Sequence, residues 1–193
     1  MSYKKVAMLS KANLRVQIKK KLNNLSSDDI DNKSLSINSN LFKFLNSVKF
    51  NSLCIFLPAS TEPQLDVKKI LISYDNIYCP KYINNEYKFS KTNSESDIIE
   101  GKFKISEPAG ESFLDEATLK SKTTLFLVPC VGFDLKGNRI GHGNGYYDRL
   151  LDSTTGFKIG IAYSIQQVSK INYEKHDQKL NFVITENNIL DLN

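Results

Sequence analysis

Residues 124–151 read TLFLVPCVGFDLKGNRIGHGNGYYDRLL and carry the signals of a strand, a loop and a helix, in that order. The stretch opens with TLFLV over residues 124–128, and Pro129 follows at once. A short continuous apolar run that ends at a proline is typical of a strand buried on both faces, as in a parallel sheet. A glycine-rich loop comes next, and residues 146–151 are predicted to form a helix. This order of elements indicates an α/β protein.

Further strands and helices are predicted on both sides of this unit. The strand signals are SLCIFL at 52–57 (before Pro58), NIYC at 76–79 (before Pro80), KIGIA at 158–162 and NFVIT at 181–185. The first predicted helix covers residues 11–25, with Ser10 as its cap and an apolar face of Leu14, Ile18, Leu22 and Leu25. The second covers residues 31–48, with Leu41, Phe42 and Leu45 inward, and the third covers residues 65–72. Strands that alternate with helices predict a layered single α/β domain over residues 1–193, with a mostly parallel open sheet flanked by helices.

The segment between residues 81 and 116 is the least periodic part of the chain. We predict that it is an excursion over the sheet edge and a cover for a substrate. Asparagine doublets at residues 23–24, 84–85 and 187–188 are attributed to codon bias rather than to chemistry.

Composition excludes several classes of protein. The chain has 193 residues, of which 40% are hydrophobic and 24% charged, which argues against global disorder. The net charge of +5 forms neither a basic stripe nor a nucleic-acid-binding module, so no nucleic-acid partner is expected. There is neither an apolar stretch long enough to span a membrane nor a signal peptide, so we expect no membrane partner and a cytoplasmic location. We also expect a monomer.

The three cysteines are widely spaced, at Cys54, Cys79 and Cys130. Their odd number and the absence of a CxxC pair suggest free thiols in a reducing compartment. Because each lies in or beside an apolar run, we interpret them as small buried hydrophobic residues.

Three alternating glycines, Gly141, Gly143 and Gly145, mark the loop between the strand and the helix. Glycine permits left-handed backbone and lets a ligand approach main-chain amides, and successive amides can form a concave anion site. The pattern predicts phosphate binding, although a tight strand-to-helix connection is the structural alternative. It is not a Walker A loop, since no Gly-Lys-Ser/Thr follows, and Tyr146 stands where the Rossmann fingerprint needs its third glycine.

Two charged residues flank these glycines. Arg139 is suited to a bidentate contact with phosphate, although on its own it would be interpreted as a surface arginine. Asp148 lies in the first helical turn, where the helix dipole alone favours a carboxylate; beside a phosphate it could also bind Mg²⁺. Tyr146 and Tyr147 are either core aromatics or ligand-facing residues.

The segment GFDLKGNRIGHGNGYYDRLL closely resembles the signature of the 5-formyltetrahydrofolate cyclo-ligases, which is close to G-x-x-x-D-x-x-G-x-R-x-G-x-G-x-G-Y-Y-D with variation at the early glycine. The resemblance extends in order along nearly the whole chain. It includes Lys11 and Arg15 on the first helix, Glu62 in IFLPASTE, Pro80, Lys81 and Tyr82 in CPKY, Phe103 and Pro108 in FKISEP, and His176 and Asp177 in HDQKLNFVITE.

The resemblance implies a set of site residues. ATP would be bound by Lys11, Arg15, Arg139, Ile140, Gly141, His142, Gly143, Asn144, Gly145, Tyr146 and Tyr147. Folate would contact Leu57, Glu62, Tyr82, Phe103, His142, Gly143, Asn144, Gly145 and Tyr146. Mg²⁺ would be held by Asp148 and Asp177, and Arg139 and Asp148 would be the catalytic residues. Without the resemblance, Glu62 would be interpreted as an exposed loop acid, and Lys11 and Arg15 would be interpreted as part of a solvated helix face. His176 is interpreted as a surface residue.

The chain departs from the family at a few positions. His142 and Asn144 often have other counterparts, including basic residues, and a lower positive charge there would weaken phosphate affinity. Asn181 stands where an acid is common, which removes a third metal carboxylate. Phe103 replaces a Trp found in some members.

The implied reaction is the ATP- and Mg²⁺-dependent cyclisation of 5-formyltetrahydrofolate to 5,10-methenyltetrahydrofolate, with release of ADP and phosphate. Phosphoryl transfer depends mainly on positioning and charge neutralisation, which these residues can provide. Two alternatives stay open: another ATP-dependent kinase of a small molecule, and a non-catalytic nucleotide or phosphate sensor.

Overall fold

A computed structural model of the protein describes residues 9–193, apart from the side chain of Phe103. The α-helices are α1 (Lys11–Leu22), α2 (Ser27–Ser47), α3 (Val67–Ser73), α4 (Glu116–Leu119) and α5 (Tyr146–Leu150). The strands are β1 (Ser52–Cys54), β2 (Ile77–Ile83), β3 (Glu86–Lys91), β4 (Ile98–Glu100), β5 (Ser106–Pro108), β6 (Thr124–Pro129), β7 (Gly132–Phe133), β8 (Arg139–Ile140), β9 (Phe157–Ile161), β10 (Phe182–Ile184) and β11 (Ile189–Asp191). Short 3₁₀ turns occupy Glu95–Asp97, Lys102–Lys104 and Ser164–Gln166.

A seven-stranded sheet forms the centre of the molecule, with the strand order β11-β10-β9-β6-β1-β2-β3. The five inner strands are parallel, whereas β3 and β11 pair antiparallel at the two edges. Two small antiparallel ribbons, β4–β5 and β7–β8, lie outside this sheet. The prediction of an α/β domain with a mostly parallel open sheet is therefore confirmed.

The inner strands are buried on both faces. Leu125 and Leu127 of β6 join a hydrophobic core that contains residues of α2, whereas Phe126 and Val128 of the same strand join a second core. Because successive residues of a strand point to opposite faces, the two cores lie on opposite sides of the sheet.

The first two helices differ from prediction at their ends. Ser10 caps α1 by accepting a hydrogen bond from the N–H of Asn13, as predicted, but α1 ends at Leu22, before Leu25. The second helix begins at Ser27 rather than at residue 31. Ser26 and Asp29 form a capping box there, with each side chain accepting from the other's backbone N–H at 3.1 Å. The polar segment interpreted as a break is therefore the start of α2.

The prediction that β2 stops at Pro80 is wrong. The strand continues to Ile83 and forms a hairpin with β3. Proline has no N–H to donate, and β1 has already ended at Cys54, which pairs with Tyr78. Proline is therefore tolerated in β2 beyond the end of β1. The strand predicted over residues 52–57 is itself shorter than predicted, with only three residues in β1.

The turn of this hairpin is the asparagine doublet Asn84–Asn85, with positive φ angles of 49° and 65°. Two successive left-handed residues are the requirement of a type I′ turn, and asparagine tolerates them better than most residues. This doublet therefore has a structural role that its attribution to codon bias missed.

The excursion predicted over residues 81–116 is wrong for residues 81–91, which complete the β2–β3 hairpin of the sheet, and the part after β3 folds back against this hairpin. The buried ammonium of Lys81 donates to the carbonyl oxygens of Pro108 and Ala109, at 3.0 and 2.7 Å. The N–H of Tyr82 donates to the Glu107 carboxylate at 3.2 Å. These contacts fix the β4–β5 ribbon beside the ends of β2 and β3. Within residues 9–193, no helix is both long and apolar enough to cross a membrane.

Candidate active site

A cavity of about 410 Å³ lies beyond the carboxyl ends of β1 and β6 and beside the middle of β2. Its wall includes Leu57 after β1, Pro80 within β2 and Pro129 at the end of β6. This is the edge at which open parallel sheets usually bind ligands, and the volume suits a small-molecule site.

Most of the residues predicted for the site lie on the wall of this one cavity. They are Lys11, Arg15, Leu57, Glu62, Arg139, Ile140, Gly141, His142, Gly143, Asn144, Gly145, Tyr146, Tyr147, Asp148 and Asp177. Among the residues whose side chains are described, Tyr82 is the predicted member that does not line it. The side chain of Phe103 lies outside the described part of the structure, so its placement stays a prediction.

The glycine-rich loop owes its shape to glycines in two different ways. Gly143 and Gly145 have φ angles of 113° and 63°, which residues with a Cβ rarely adopt. Gly141 instead provides space, because a Cβ there would come within 2.9 Å of the Arg139 guanidinium. The helix that follows, α5, has only five residues, so the loop amides rather than a long helix dipole would supply most of any anion binding.

Arg139 is buried, with only 4% of its side chain exposed, so the alternative of a surface arginine does not hold. Its Nη2 donates to Oδ1 of Asp148 at 2.7 Å. The same carboxylate oxygen accepts the N–H of Gln178 at 3.3 Å. The two predicted catalytic residues are therefore brought into direct contact across the start of α5.

Lys11 and Arg15 also face the cavity rather than bulk solvent. The Lys11 ammonium lies 2.6 and 2.7 Å from the two carboxylate oxygens of Asp177, and 3.1 Å from Glu174. Arg15 Nε donates to the carbonyl oxygen of Gly141 at 2.7 Å. The interpretation of these residues as a solvated helix face is therefore excluded, and α1 is fixed to the glycine-rich loop.

Carboxylate oxygens suitable for a hard divalent ion occur on two sides of the cavity. Asp148 and Asp177 both line it, and the ligand atoms of Glu174, His176 and Asp177 lie within 4.8 Å of one another. Mg²⁺ prefers such oxygens and keeps part of its shell for water and phosphate, so the residues fit this ion. The cations of Arg139 and Lys11 contact these aspartates, so a metal would have to displace or share those contacts.

His176 and Asn181 contribute less to this site. The His176 side chain is 71% exposed, in keeping with its interpretation as a surface residue. Asn181 does not line the cavity and instead accepts the N–H of Lys158 at 2.9 Å, which joins the starts of β9 and β10. The asparagine thus has a structural role at the opposite ends of these strands.

Glu62 is buried, which excludes its interpretation as an ordinary exposed loop acid. Its Oε2 accepts the N–H of Ala59 at 2.9 Å, and its Oε1 lies 3.0 Å from Nε2 of His142. The loop after β1 and the glycine-rich loop therefore meet through this pair. A ligand that contacts one of the two loops would be close to the other.

The two neighbouring tyrosines of α5 have different surroundings. Tyr147 packs against both hydrophobic cores, and burial, followed by the charge of Glu62, raises its pKa well above the ordinary value. Tyr146 contacts the ring of Tyr87 on β3, with centroids 4.8 Å apart. Tyr147 is thus mainly a core residue that reaches the cavity, whereas Tyr146 belongs to an aromatic wall.

The cavity also has lining residues that the sequence did not predict: Phe56, Ala59, Pro80, Tyr87, Ile105, Ser106, Glu107, Pro129, Leu150, Glu174 and His176. Of these, Tyr87 had a detectable signal. Once Asn84–Asn85 is recognised as a hairpin turn, Tyr87 falls directly opposite Tyr82.

Comparisons with known proteins agree with this architecture. The model of the 5-formyltetrahydrofolate cyclo-ligase family matches residues 7–186. The chain is 28% identical to the probable 5-formyltetrahydrofolate cyclo-ligase of Schizosaccharomyces pombe, over 94% of this chain and 98% of that protein. It is 32% identical to the 5-formyltetrahydrofolate cyclo-ligase of Mycoplasma pneumoniae, over 82% and 88% of the two chains.

A solved structure shares the fold. The NMR structure of Aquifex aeolicus 5,10-methenyltetrahydrofolate synthetase superposes with a TM-score of 0.80 at 30% identity, over 94% of this chain and 92% of that one. Since the family model covers nearly the entire sequence and relatives match over most of their own length, the chain belongs to the 5-formyltetrahydrofolate cyclo-ligase family.

Proposed function

We propose that the protein catalyses the ATP- and Mg²⁺-dependent cyclisation of 5-formyltetrahydrofolate to 5,10-methenyltetrahydrofolate, with release of ADP and phosphate. One observation carries the proposal beyond family membership. A single cavity is lined by the cations of Lys11, Arg15 and Arg139, by carboxylates, and by the apolar Leu57 and the buried Glu62. Such a cavity suits two ligands, one polyanionic and one largely aromatic.

The basic side of the cavity is proposed to bind the phosphates of ATP. Arg139 provides a planar guanidinium suited to phosphate oxygens, and Lys11 adds a point charge. The amides of Gly141 to Gly145 are available at the same wall. Together they would neutralise negative charge and orient the terminal phosphate toward the second ligand.

Asp148 and Asp177 are proposed to hold Mg²⁺, directly or through water. The ion, when bound, would supply charge neutralisation at phosphate oxygens. Their contacts with Arg139 and Lys11 keep both carboxylates oriented toward the cavity.

Folate is proposed to lie against Leu57, Glu62 and Tyr146, near the loop of residues 142–146, with Tyr82 and Phe103 retained as predicted contacts. Glu62 has the features of a group that orients a heterocycle, because its carboxylate is buried and is positioned by the N–H of Ala59 and by His142. A buried carboxylate accepts hydrogen bonds from ring N–H groups more strongly than a solvated one does.

In the proposed reaction the γ-phosphoryl group moves to the formyl oxygen, and the P–O bond to ADP breaks. The folate nitrogen at position 10 then attacks the activated formyl carbon, its proton is lost to solvent or to the departing phosphate, and phosphate leaves with the formyl oxygen. The protein's contribution is to align the two ligands and to neutralise charge, so no covalent enzyme nucleophile is needed.

A kinase or a non-catalytic sensor is not favoured, because the family and its named relatives are cyclo-ligases. We further propose that the enzyme acts as a single-domain monomer in the cytoplasm, with small molecules rather than nucleic acids or membranes as its ligands.

An ultraviolet absorbance assay tests the proposal, because the methenyl product has its own long-wavelength band. Purified protein is mixed with Mg²⁺, ATP and 5-formyltetrahydrofolate, and each component is omitted in turn. We expect a rise in absorbance that needs all three. Binding of ATP without any rise would refute the cyclisation and would favour a sensor, whereas a stable phosphorylated product would favour a kinase.

A further inference from the structure

Three contacting tyrosine rings form a row, and two of them, Tyr87 and Tyr146, line the cavity. We call Tyr82, Tyr87 and Tyr146 the tyrosine row. Tyr82 and Tyr87 face each other across the β2–β3 hairpin, with ring centroids 5.0 Å apart. Tyr87 then contacts Tyr146 at the start of α5, with centroids 4.8 Å apart and planes at 57°. These are the tilted and edge-on arrangements that aromatic pairs prefer.

Tyr87 is the central member of the row, and its ring lines the cavity together with Tyr146. Tyr82 lies behind it and, among the described residues, is not part of the cavity wall. A tyrosine is neutral at physiological pH, and burial raises the pKa of the Tyr87 hydroxyl further above its ordinary value. A neutral, half-buried ring on a concave wall is a suitable surface for an aromatic ligand.

The row is also held in place at both ends. The guanidinium of Arg149 lies 5.4 Å from the centroid of Tyr146, and the ammonium of Lys102 lies 4.8 Å from that of Tyr82. Cations at this distance from a ring are attracted to its face. These contacts and the two neighbouring rings favour one position of the central ring before any ligand binds, which lowers the entropy lost on binding.

We propose that Tyr87 is a folate-binding residue that packs its ring against an aromatic ring of the folate, so that it, more than Tyr82, sets the affinity for that substrate. This inference rests on the proposed function for the identity of the ligand. The ring contacted is either the pterin or the aminobenzoyl group, since both present a planar π surface. Its contact would lie on the part of the cavity wall formed by β3 and α5.

The test compares Tyr87→Leu with Tyr87→Phe and Tyr82→Leu. Two quantities are measured for each variant: the KM values for 5-formyltetrahydrofolate and ATP, and the Kd for 5-formyltetrahydrofolate in the absence of ATP. We expect Tyr87→Leu to raise the folate KM and Kd by about five- to tenfold, in keeping with the loss of an aromatic contact. The KM for ATP should stay within about twofold, and so should the folate constants of Tyr87→Phe.

Tyr82→Leu is the matched control, because it removes a ring from the same hairpin and the same row. A smaller increase in this variant than in Tyr87→Leu supports the proposal. An equal or larger increase would overturn it, and so would unchanged folate constants in Tyr87→Leu. Circular dichroism spectra of all variants identify any loss of folding.

A direct contact is separated from an indirect one by repeating Tyr87→Leu in a Tyr146→Leu background. If Tyr87 touches folate, Tyr87→Leu should weaken folate binding further in this background. No further change would mean that Tyr87 acts only by positioning Tyr146. The Kd measurement does not depend on turnover. If the wild-type protein binds folate but does not cyclise it, the proposed reaction fails while the role of Tyr87 is still decided by these constants. If the wild-type protein binds no folate, both fail.

Discussion

Replacing Asp148 with alanine leaves the guanidinium of Arg139 buried without the carboxylate that it contacts at 2.7 Å. Removing one partner of a buried pair typically costs about 3–5 kcal/mol, because the remaining charge is desolvated and uncompensated. The Arg139 side chain is only 4% exposed, but Asp148 is 21% exposed and partly hydrated. We therefore expect the lower end of this range, about 3 kcal/mol of lost unfolding free energy.

For a chain of 193 residues this loss corresponds to a fall in Tm of about 6–12 °C. The variant should remain folded at 25 °C, since proteins of this size are usually stable by more than about 5 kcal/mol. Turnover should fall by at least about 10³-fold, because loss of the proposed metal contact would remove several kcal/mol of charge stabilisation.

Thermal melting followed by circular dichroism measures the first effect, and the absorbance assay measures the second. Asp148→Asn provides a second variant, because its amide oxygen can still accept from Arg139 while its charge is gone. It should recover part of the lost Tm but not the turnover. Asp152→Ala removes an exposed acid from the same region and should leave Tm within about 2 °C of wild type. Retained turnover in Asp148→Ala would refute the metal assignment, and an unchanged Tm would refute the buried ion pair.

Three further predictions concern other parts of the molecule. Lys11→Ala should raise the KM for ATP by about tenfold and leave the KM for folate within about twofold. Lys19→Ala, on the exposed face of α1, should change neither KM. Equal effects of the two substitutions on the KM for ATP would refute a phosphate contact of Lys11. Burial raises the pKa of the Cys79 and Cys130 thiols to about 12, above an ordinary value of 9.0. The unfolded chain therefore loses these protons first, and unfolding free energy should fall between pH 9 and pH 12, by about 1.4 kcal/mol per thiol at pH 10. Urea unfolding from pH 8 to 10 measures this, and a slope that persists unchanged in Cys130→Ala would contradict a contribution from that thiol. Asn85→Ala should destabilise the hairpin turn by about 1 kcal/mol, whereas Asn85→Gly should be neutral or stabilising; equal Tm values for the two variants would count against the left-handed turn.

The sheet was predictable because its strands are short apolar runs separated by helical patterns, and β6 lies where the run 124–128 placed it. The ends of elements were less predictable, because they depend on tertiary partners. The continuation of β2 through Pro80 depends on where β1 ends, and the start of α2 at Ser27 depends on a capping pair inside a segment that appeared to be a break.

The glycine-rich loop and its charged residues could be assigned to one site from the sequence, because they form one long motif of consecutive residues. The pairing of Lys11 with Asp177, and of Glu62 with His142, could not be derived from local pattern, since the partners are 166 and 80 residues apart. Tyr87 was not predicted as a site residue for a related reason. Its role becomes visible only after the turn at Asn84–Asn85 has fixed the register of the hairpin.

The contact between Lys11 and Asp177 joins the first described helix to a segment that is synthesised after nine of the eleven strands found in residues 9–193. On the ribosome, the strands from β1 to β9 can begin to pack before residue 177 has been added to the chain. One wall of the cavity nevertheless stays incomplete until then, because Glu174 and Asp177 form part of it and Lys11 has not yet met these acidic partners. Catalytic activity is therefore expected to arise late in translation. A chain truncated after β9 would retain much of the sheet but would have no enzymatic activity.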